Sequence, residues 1–167
     1  MSPDTIHAFT VPPVVKTVTV RCSPEKAFRH FTEGMGAWWP LVTHHIGPEP
    51  ETCVIEPRLG GRLYERAKDG IETKWGTVMI WDPPKRLTFS WEISCTDPVP
   101  DARVEVSFTP VPGGTEVKLV HSGWEHMGEA GARVRENFDK GWVTVLTTGG
   151  TVKAWMVSGL MIASPSH

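Results

Sequence analysis

The stretch over residues 76–92, GTVMIWDPPKRLTFSWE, predicts two strands joined by a turn. The turn reads Asp82-Pro83-Pro84-Lys85, and its prolines exclude a tight two-residue hairpin turn of the Asn-Gly type. On the second arm, apolar and polar residues alternate with the period of two expected of a strand buried on one face. The apolar series on that arm is Leu87, Phe89, Trp91 and Ile93. The hairpin therefore has an inner face, and that face carries large aromatic side chains.

The first arm continues the same alternation and assigns its residues to two faces. An uninterrupted period of two puts Val78 and Ile80 on the inner face. It puts the intervening Met79 and Trp81 on the outer face. Large exposed apolar patches usually mark interfaces, so outward Met79 and Trp81 favour a homodimer through this face as an alternative to a monomer.

The residues before and after this hairpin predict the remaining elements of one sheet. Val14, Val18 and Val20 indicate a first strand, and Ser23-Pro24-Glu25 is a strong helix start with a capping serine. A second short helical turn ends at Pro40. Further strands follow one another through short, glycine- or proline-containing links, which predicts an antiparallel meander. These strands span residues 53–56, 62–66, 74–81, 86–93, 102–109 and 115–122.

A long helix is predicted from about Glu129, because apolar residues recur at three- and four-residue spacing. They are Val134, Phe138, Trp142, Val145 and Leu146. Gly149-Gly150 predicts a kink or an end of that helix. The element order is β-α-α-β-β-β-β-β-β-α, an α+β fold in which a curved antiparallel sheet of about seven strands wraps around the C-terminal helix. A long helix cannot contact every part of a curved sheet, so we expect an internal cavity between them.

Composition bounds the class of protein. The 167 residues suffice for one domain, which we place at 14–157 between tails at 1–13 and 158–167. The formal net charge of −2 and the mixing of acidic and basic residues argue against a nucleic-acid partner. Residues 141–163 are too polar for membrane insertion, and the N-terminus does not read as a signal peptide. Three cysteines, far apart in the sequence, suggest neither disulfides nor a metal framework, so we expect a cytoplasmic protein.

Several motifs occur together in a fixed order. They are SPEKAFRHFT, WWP, EPRLGGRLYER, GTVMIWDPPKRLTFSWE, GGTEVKLVHSGW and FDKGWVTVL. Over roughly residues 14–148 the chain resembles the START-like helix-grip superfamily, also known as SRPBCC or birch-pollen-allergen-like. Within it, the sequence is most similar to small bacterial homologues of the activator of heat-shock-protein-90 ATPase. The resemblance implies a helix-grip fold. It leaves the activity open, since this superfamily includes ligand binders, lipid carriers, cyclases, hydrolases and chaperone activators.

The leading hypothesis is binding of a small, mostly apolar ligand, aromatic or lipid-like, between the sheet and the C-terminal helix. Large side chains of the inner face would form its wall. The predicted wall consists of Phe31, Trp39, Leu63, Val78, Ile80, Phe89, Trp91, Val106, Phe108, Leu119, Trp142 and Leu146. We expect no cofactor.

An enzymatic alternative rests on two titratable residues. Strand alternation turns Glu65 inward together with Leu63, and His121 inward together with Leu119. A buried carboxylate and an imidazole across one cavity would suit acid-base chemistry of the cyclase, dehydratase or hydrolase type. The plainer interpretation is a salt-bridged edge glutamate and a histidine bonded to the backbone, so the sequence does not decide whether the protein is an enzyme.

Two further alternatives remain. His44 and His45 lack metal-ligand spacing, as do His121 and His126, so we expect no metal site, although His44 or His45 at a cavity rim would meet the polar end of a ligand. The name of the family branch implies a chaperone partner whose ATPase the protein would stimulate. The eukaryotic members carry a further N-terminal domain that this sequence does not display, so we expect that role least.

Overall fold

The computed structural model describes residues 11–93, 101–147 and 162–163. The strands are β1 (Val14–Val20), β2 (Pro50–Ile55), β3 (Arg62–Ala67), β4 (Glu72–Asp82), β5 (Arg86–Ser90), β6 (Arg103–Val111), β7 (Gly114–Ser122) and β8 (Ile162–Ala163). The helices are α1 (Pro24–Thr32), α2 (Met35–Trp38) and α3 (Ala130–Thr147), with a short 3-10 helix over Trp124–Met127.

All described strands belong to one antiparallel sheet, in the order β2-β3-β4-β5-β6-β7-β1-β8. Strands β2 to β7 follow each other as a meander, and β1 returns to pair with β7. This confirms the predicted α+β helix-grip fold with its curved sheet and C-terminal helix. The two-residue β8 adds to β1 beside Thr19 and Val20. The predicted domain boundaries at residues 13 and 157 stay predictions.

Helix α1 forms where the sequence predicts it and covers one part of the sheet. The Ser23 side chain accepts a hydrogen bond from the Lys26 amide at 3.2 Å, which satisfies one of the free N–H groups at the helix start. Phe28 and Phe31 are buried on its inner face. Their rings lie 5.2 and 6.0 Å from the ring of Phe108 on β6. This aromatic packing fixes α1 against the sheet.

Helix α3 lies against the opposite end of the same face. Trp142, Val145 and Leu146 are buried, as the helical spacing predicts. An ion pair of 2.9 Å between Lys16 of β1 and Asp139 adds a polar contact at its edge. The predicted kink at residues 149–150 lies outside the described residues. None of the described helices combines the length and hydropathy needed to span a bilayer.

A register shift in β4 changes which residues face the core. Val78 pairs with Phe89, but Ile80 pairs with Thr88 and Trp81 with Leu87, so Met79 is an extra residue. An extra residue in one strand moves every later side chain to the other face. The prediction for Ile80 and Trp81 was therefore wrong: Trp81 turns inward and packs edge-on against Phe28 at 5.1 Å, while Ile80 shares the outer face with Thr88.

A second register shift precedes the first on the same strand. Leu63 of β3 pairs with Gly76, and Tyr64 pairs with Lys74, so Trp75 is the extra residue. The Trp75 side chain is buried. It joins an aromatic cluster at one end of the sheet, where the sequence pattern predicts no special feature.

Most of the predicted ligand wall is packed core. The residues concerned are Phe31, Leu63, Val78, Phe89, Val106, Phe108, Leu119 and Trp142, all buried in one hydrophobic cluster. Leu146 is buried as well. The aromatic side chains of α1, α2 and α3 thus fill the space between helices and sheet, because protein interiors pack to the density of organic crystals.

Candidate functional site

One cavity of about 180 Å³ lies at the end of the sheet, between the loop after α2, the hairpin β4–β5 and helix α3. Its lining residues are Trp39, Thr43, His44, His45, Ile46, Trp75, Trp91, Ile93 and Phe138. Among the predicted wall residues, Trp39 and Trp91 lie in this lining. Thr43, His45 and Ile46 are exposed, so they form its rim.

Three tryptophans form the inner wall of this cavity, which we call the aromatic wall: Trp39, Trp75 and Trp91. The ring centroids of Trp39 and Trp75 are 5.1 Å apart, and those of Trp75 and Trp91 are 6.3 Å apart. Trp142 of α3 supports them from behind, 5.5 Å from Trp91 and 5.9 Å from Trp39. These separations are typical of favourable edge-to-face and tilted aromatic pairs, so the wall is well supported.

The aromatic wall contains hydrogen-bond donors without acceptors. Nε1 of Trp75 and Nε1 of Trp91 are buried, and no described residue accepts a hydrogen bond from either. An unpaired buried donor typically costs about 1–3 kcal/mol, and native proteins contain few of them. Trp39 differs, since its Nε1 donates to the carbonyl oxygen of His44 at 2.9 Å. The unpaired groups therefore concentrate on the β4 and β5 side of the cavity.

The rim loop, residues 43–47, supplies the polar groups of the lining. Nδ1 of His44 lies 2.8 Å from the Thr43 hydroxyl, and Nδ1 of His45 lies 2.7 Å from the carbonyl oxygen of Gly47. Burial lowers the pKa of His44 below its usual value, which favours an uncharged imidazole at the rim. His44 and His45 thus both lie at the rim of the cavity, where the sequence analysis suggests that one of them would lie.

Glu65 holds the rim loop to the sheet. The side chain is 2% exposed, and its Oε1 accepts hydrogen bonds from the Ile46 amide at 2.7 Å and the Gly47 amide at 2.6 Å. Hydrogen bonds to a carboxylate are roughly twice as strong as neutral ones. Glu65 does not line the cavity, so its contacts fit an anchor for the loop rather than a group facing a ligand.

His121 lies inside the aromatic core beyond the cavity. It is fully buried, and its Nδ1 accepts a hydrogen bond from Nε1 of Trp142 at 3.0 Å. The ring of Trp124 lies 4.3 Å away and that of Phe138 5.1 Å away. Burial lowers the pKa of His121 to about 3. The inward orientation predicted from strand alternation is correct, but His121 touches the cavity only through the rings of Trp91 and Phe138, is not itself in the described lining, and has no described contact with Glu65.

Nucleophilic and metal chemistry find little support in the described residues. Burial, and then the neighbouring Glu65 carboxylate, raises the pKa of Cys53 to about 12, so this thiol stays protonated at neutral pH. Within residues 11–93, 101–147 and 162–163, no three His, Cys, Asp or Glu side chains come together as a metal site.

Sequence reasoning missed five lining residues, which are Thr43, Ile46, Trp75, Ile93 and Phe138. The helical spacing predicts Phe138 on the buried face of α3, and the residue is half-buried there with its ring in the cavity lining. Trp75 follows a lysine and precedes a glycine, and only the register shift opposite Leu63 carries it to the cavity. A glycine next to a tryptophan in a strand is the one signal that indicates such a shift.

Comparison with solved structures finds proteins that are similar to this chain in sequence and in fold. An anthrahydroquino-gamma-pyrone synthase, Txn09, shares 34% sequence identity, with a TM-score of 0.51 over 77% of this chain and 88% of that chain. CalC, a self-sacrificing resistance protein from Micromonospora echinospora, shares 28% identity with a TM-score of 0.58, covering 86% of this chain and 94% of its own.

A dimeric Aha1 from Colwellia psychrerythraea is 16% identical, with a TM-score of 0.55 over 81% of this chain and 91% of that chain, which supports the fold alone. No curated protein matches the sequence significantly. The family model described as activator of Hsp90 ATPase homolog 1-like protein matches residues 21–149, and the chain belongs to that family.

Proposed function

We propose that the protein binds a small aromatic ligand, about one ring in size, in the cavity between the aromatic wall and the rim loop. The observation that carries this proposal is the cavity itself, about 180 Å³, with an aromatic wall on one side and polar groups on the other. An apolar cavity of about 150 Å³ in another protein binds benzene, so this volume suits a single ring. Drug-sized ligands occupy sites of roughly 300–1,000 Å³.

The relatives support ligand binding and also mark a difference. Txn09 is named for a fused-ring aromatic compound, which is larger than the cavity described for this chain. We infer that the two proteins share the fold and a preference for aromatic ligands, while the ligand of this chain is smaller. The packed core around Leu63, Phe89 and Leu119 supports the smaller ligand, because these side chains occupy the space that a larger one would need.

Nuclear magnetic resonance of the indole N–H groups tests this proposal with toluene as the probe. Toluene is expected to shift the signals of Trp39, Trp75 and Trp91, whose rings line the cavity. Trp81 packs against Phe28 of α1 and is not part of the lining, so its signal is expected to stay unchanged and serves as the internal reference.

Two substitutions in one segment make the test specific. Ile46 lies in the lining and is 48% exposed, whereas Val42 lies outside the lining and is 88% exposed. Ile46→Trp is expected to block the cavity and weaken toluene binding at least tenfold, since a bulky ring occupies the rim. Val42→Trp adds the same side chain nearby and should leave binding unchanged. Equal affinities for wild type and Ile46→Trp would contradict the proposal.

Acid-base catalysis by Glu65 and His121 ranks below binding. Oε1 of Glu65 is occupied by two loop amides, and His121 is fully buried behind the aromatic wall. Neither the Glu65 carboxylate nor the His121 imidazole is in the described lining, so a ligand in the cavity would meet neither of these two groups.

Activation of a chaperone ATPase is a second candidate function, and the family match is the observation that favours it. On the described part of α3, the exposed large hydrophobic side chain is Val143, which offers little apolar surface to a partner. The test is the ATPase rate of an Hsp90-type chaperone with and without the protein.

A homodimer also stays a proposal. It is supported by the dimeric Colwellia homologue and by exposed Met79, whereas the inward orientation of Trp81 removes half of the predicted apolar patch.

A further inference from the structure

We propose that the ligand carries a hydroxyl group on its ring, and that Nε2 of His45 accepts the hydrogen bond from this hydroxyl. This inference rests on the proposed function, because it specifies the ligand of the same cavity. It also gives Glu65 a role, as the residue that positions His45 through the rim loop.

The accessible polar groups of the cavity lie on one side, because the indole N–H groups of Trp75 and Trp91 on the aromatic wall are buried. Thr43, His44 and His45 belong to the rim loop, whereas the remaining lining residues are aromatic or aliphatic. A ligand with an apolar ring and a single polar substituent matches this division, since the ring would lie on the aromatic wall and the substituent at the rim. A ligand with a second hydrogen-bond donor at its other end would bury that donor without an acceptor, at a cost of about 1–3 kcal/mol, because the indole N–H groups of the aromatic wall only donate.

The contact of His45 with its own loop sets the hydrogen-bonding character of its ring. Nδ1 lies 2.7 Å from the carbonyl oxygen of Gly47, and a carbonyl oxygen only accepts hydrogen bonds. Nδ1 therefore carries the proton, and in the neutral ring Nε2 presents a lone pair. No described residue donates to this nitrogen. The available group at the rim is thus an acceptor, which a hydroxyl group satisfies and an ether or a methyl group does not.

The charge of the lining also favours an uncharged hydroxyl group on the ligand. Asp, Glu, Lys and Arg are all absent from the described lining residues. Burial favours the uncharged form of His44. A carboxylate ligand would therefore lose its hydration without gaining a cationic partner, which is costly. An uncharged donor such as a phenolic hydroxyl carries no such penalty.

Glu65 fixes the position of His45 through the backbone. Its carboxylate accepts from the amides of Ile46 and Gly47, and the carbonyl of the same Gly47 accepts from His45. A methyl group added at Gly47 would lie 3.4 Å from the Thr73 hydroxyl and 3.7 Å from Oε1 of Glu65, so the loop is seated closely on the sheet. The chain of contacts from β3 to the imidazole makes Glu65 a positioning residue rather than a group that touches the ligand.

A cycle of two ligands and two proteins tests the hydroxyl contact. Phenol and toluene have similar size, and they differ in the hydroxyl group. In the full-length protein, His45→Phe is expected to weaken phenol binding roughly three- to tenfold, the range of one neutral hydrogen bond, and to leave toluene binding within about twofold. His126→Phe changes a similarly exposed histidine outside the lining and should alter neither affinity.

The role of Glu65 is tested by the ratio of phenol affinity to toluene affinity and by hydrogen exchange. Glu65→Ala is expected to reduce phenol affinity more than toluene affinity and to accelerate exchange of the Ile46 and Gly47 amides, which lose their acceptor. Glu65→Gln keeps an oxygen that accepts from both amides, so its effects should be smaller. A variant that merely loosened the fold would reduce both affinities equally.

The outcomes separate the two proposals. If toluene and phenol both bind and His45→Phe weakens them equally or not at all, the hydroxyl inference is overturned while the proposed function stands. Tighter binding of benzoate than of phenol would overturn it too, because a carboxylate needs a cation that the lining does not offer. If neither toluene nor phenol binds to the wild-type protein, the proposed function fails and the inference fails with it.

Discussion

The Nδ1 atom of His121 accepts a hydrogen bond from Trp142, and this contact decides what the residue does. An imidazole that accepts from a buried indole and is enclosed by aromatic rings stays neutral, because burial penalises the charged form. Strand alternation predicts that His121 points inward, and this is correct. The sequence does not reveal that a residue of α3 occupies its nitrogen, since that contact joins positions 21 residues apart in the chain.

The low pKa of His121 predicts a loss of stability in mild acid. The folded pKa is about 3, below the ordinary value of 6.5 that applies in the unfolded chain. Between these values the unfolded state binds the proton and the folded state does not, so the free energy of unfolding falls as the pH drops from 6.5 toward 3. At pH 5 the loss relative to neutral pH is roughly 2 kcal/mol, since each pH unit corresponds to about 1.4 kcal/mol.

Urea unfolding at a series of pH values measures this effect. His121→Asn keeps an acceptor near the position of Nδ1 but does not titrate, so its stability should decline less between pH 7 and pH 5 than that of the wild type. His126→Asn, which changes an exposed histidine, should retain the wild-type decline. Parallel declines for wild type and His121→Asn would show that His121 is not the group responsible.

At the scale of elements, the register shifts of β4 separate what the sequence predicts from what it does not. The bounds of the predicted strands and helices agree with the structure to within a few residues, because periodicity and turn residues act locally. The faces of Ile80 and Trp81 were predicted wrongly, since one extra residue reverses the alternation that the prediction assumes. The inward position of Trp75 was missed for the same reason.

Replacing two glycines by alanine is expected to change the stability of the protein in opposite directions. A methyl group at Gly76 of β4 would collide with the backbone carbonyl oxygen of Ser90, so Gly76→Ala is expected to destabilise the protein by roughly 1–3 kcal/mol. A methyl group at Gly141 of α3 meets open space, and alanine is the better helix former. Gly141→Ala should therefore stabilise the protein by about 0.5–1 kcal/mol.

Chemical denaturation of both variants under identical conditions measures the two effects, and each variant serves as the control for the other. The substitution adds one methyl group in both cases, so the difference in sign reports the close approach of β4 to β5 rather than the chemistry of alanine. Destabilisation of similar size in both variants would contradict this explanation.

At the scale of the whole molecule, the fold follows from the sequence and the position of the cavity does not. The order of strands and helices predicts a curved sheet around a helix, and that geometry requires some space between them. Which part of the space remains open depends on how the side chains of α1, α2 and α3 fill it. Phe31, Phe108 and Leu119 are core residues, although their inward orientation was predicted correctly. The cavity lies instead at the edge of the sheet, where the rim loop rather than another helix covers the strands.

Because the cavity is assembled from distant parts of the chain, a bound ligand should stabilise the molecule as a unit. Trp39, Trp75, Trp91 and Phe138 come together only in the folded state, so an aromatic ligand binds the folded chain and not the unfolded one. At a concentration of 100 times its dissociation constant, such a ligand adds about 2.7 kcal/mol to the free energy of unfolding. For a chain of this length that corresponds to a rise of roughly 5–10 °C in the midpoint of thermal unfolding.

Scanning calorimetry with increasing toluene checks this expectation, with the midpoint rising logarithmically once the cavity is saturated. Val42→Trp should follow the wild-type curve, and Ile46→Trp should show no shift over the same range. A midpoint that rises equally in Ile46→Trp would mean that toluene stabilises the protein at some other place. The comparison thus links the stability of the entire fold to one cavity, whose rim is held by the buried carboxylate of Glu65.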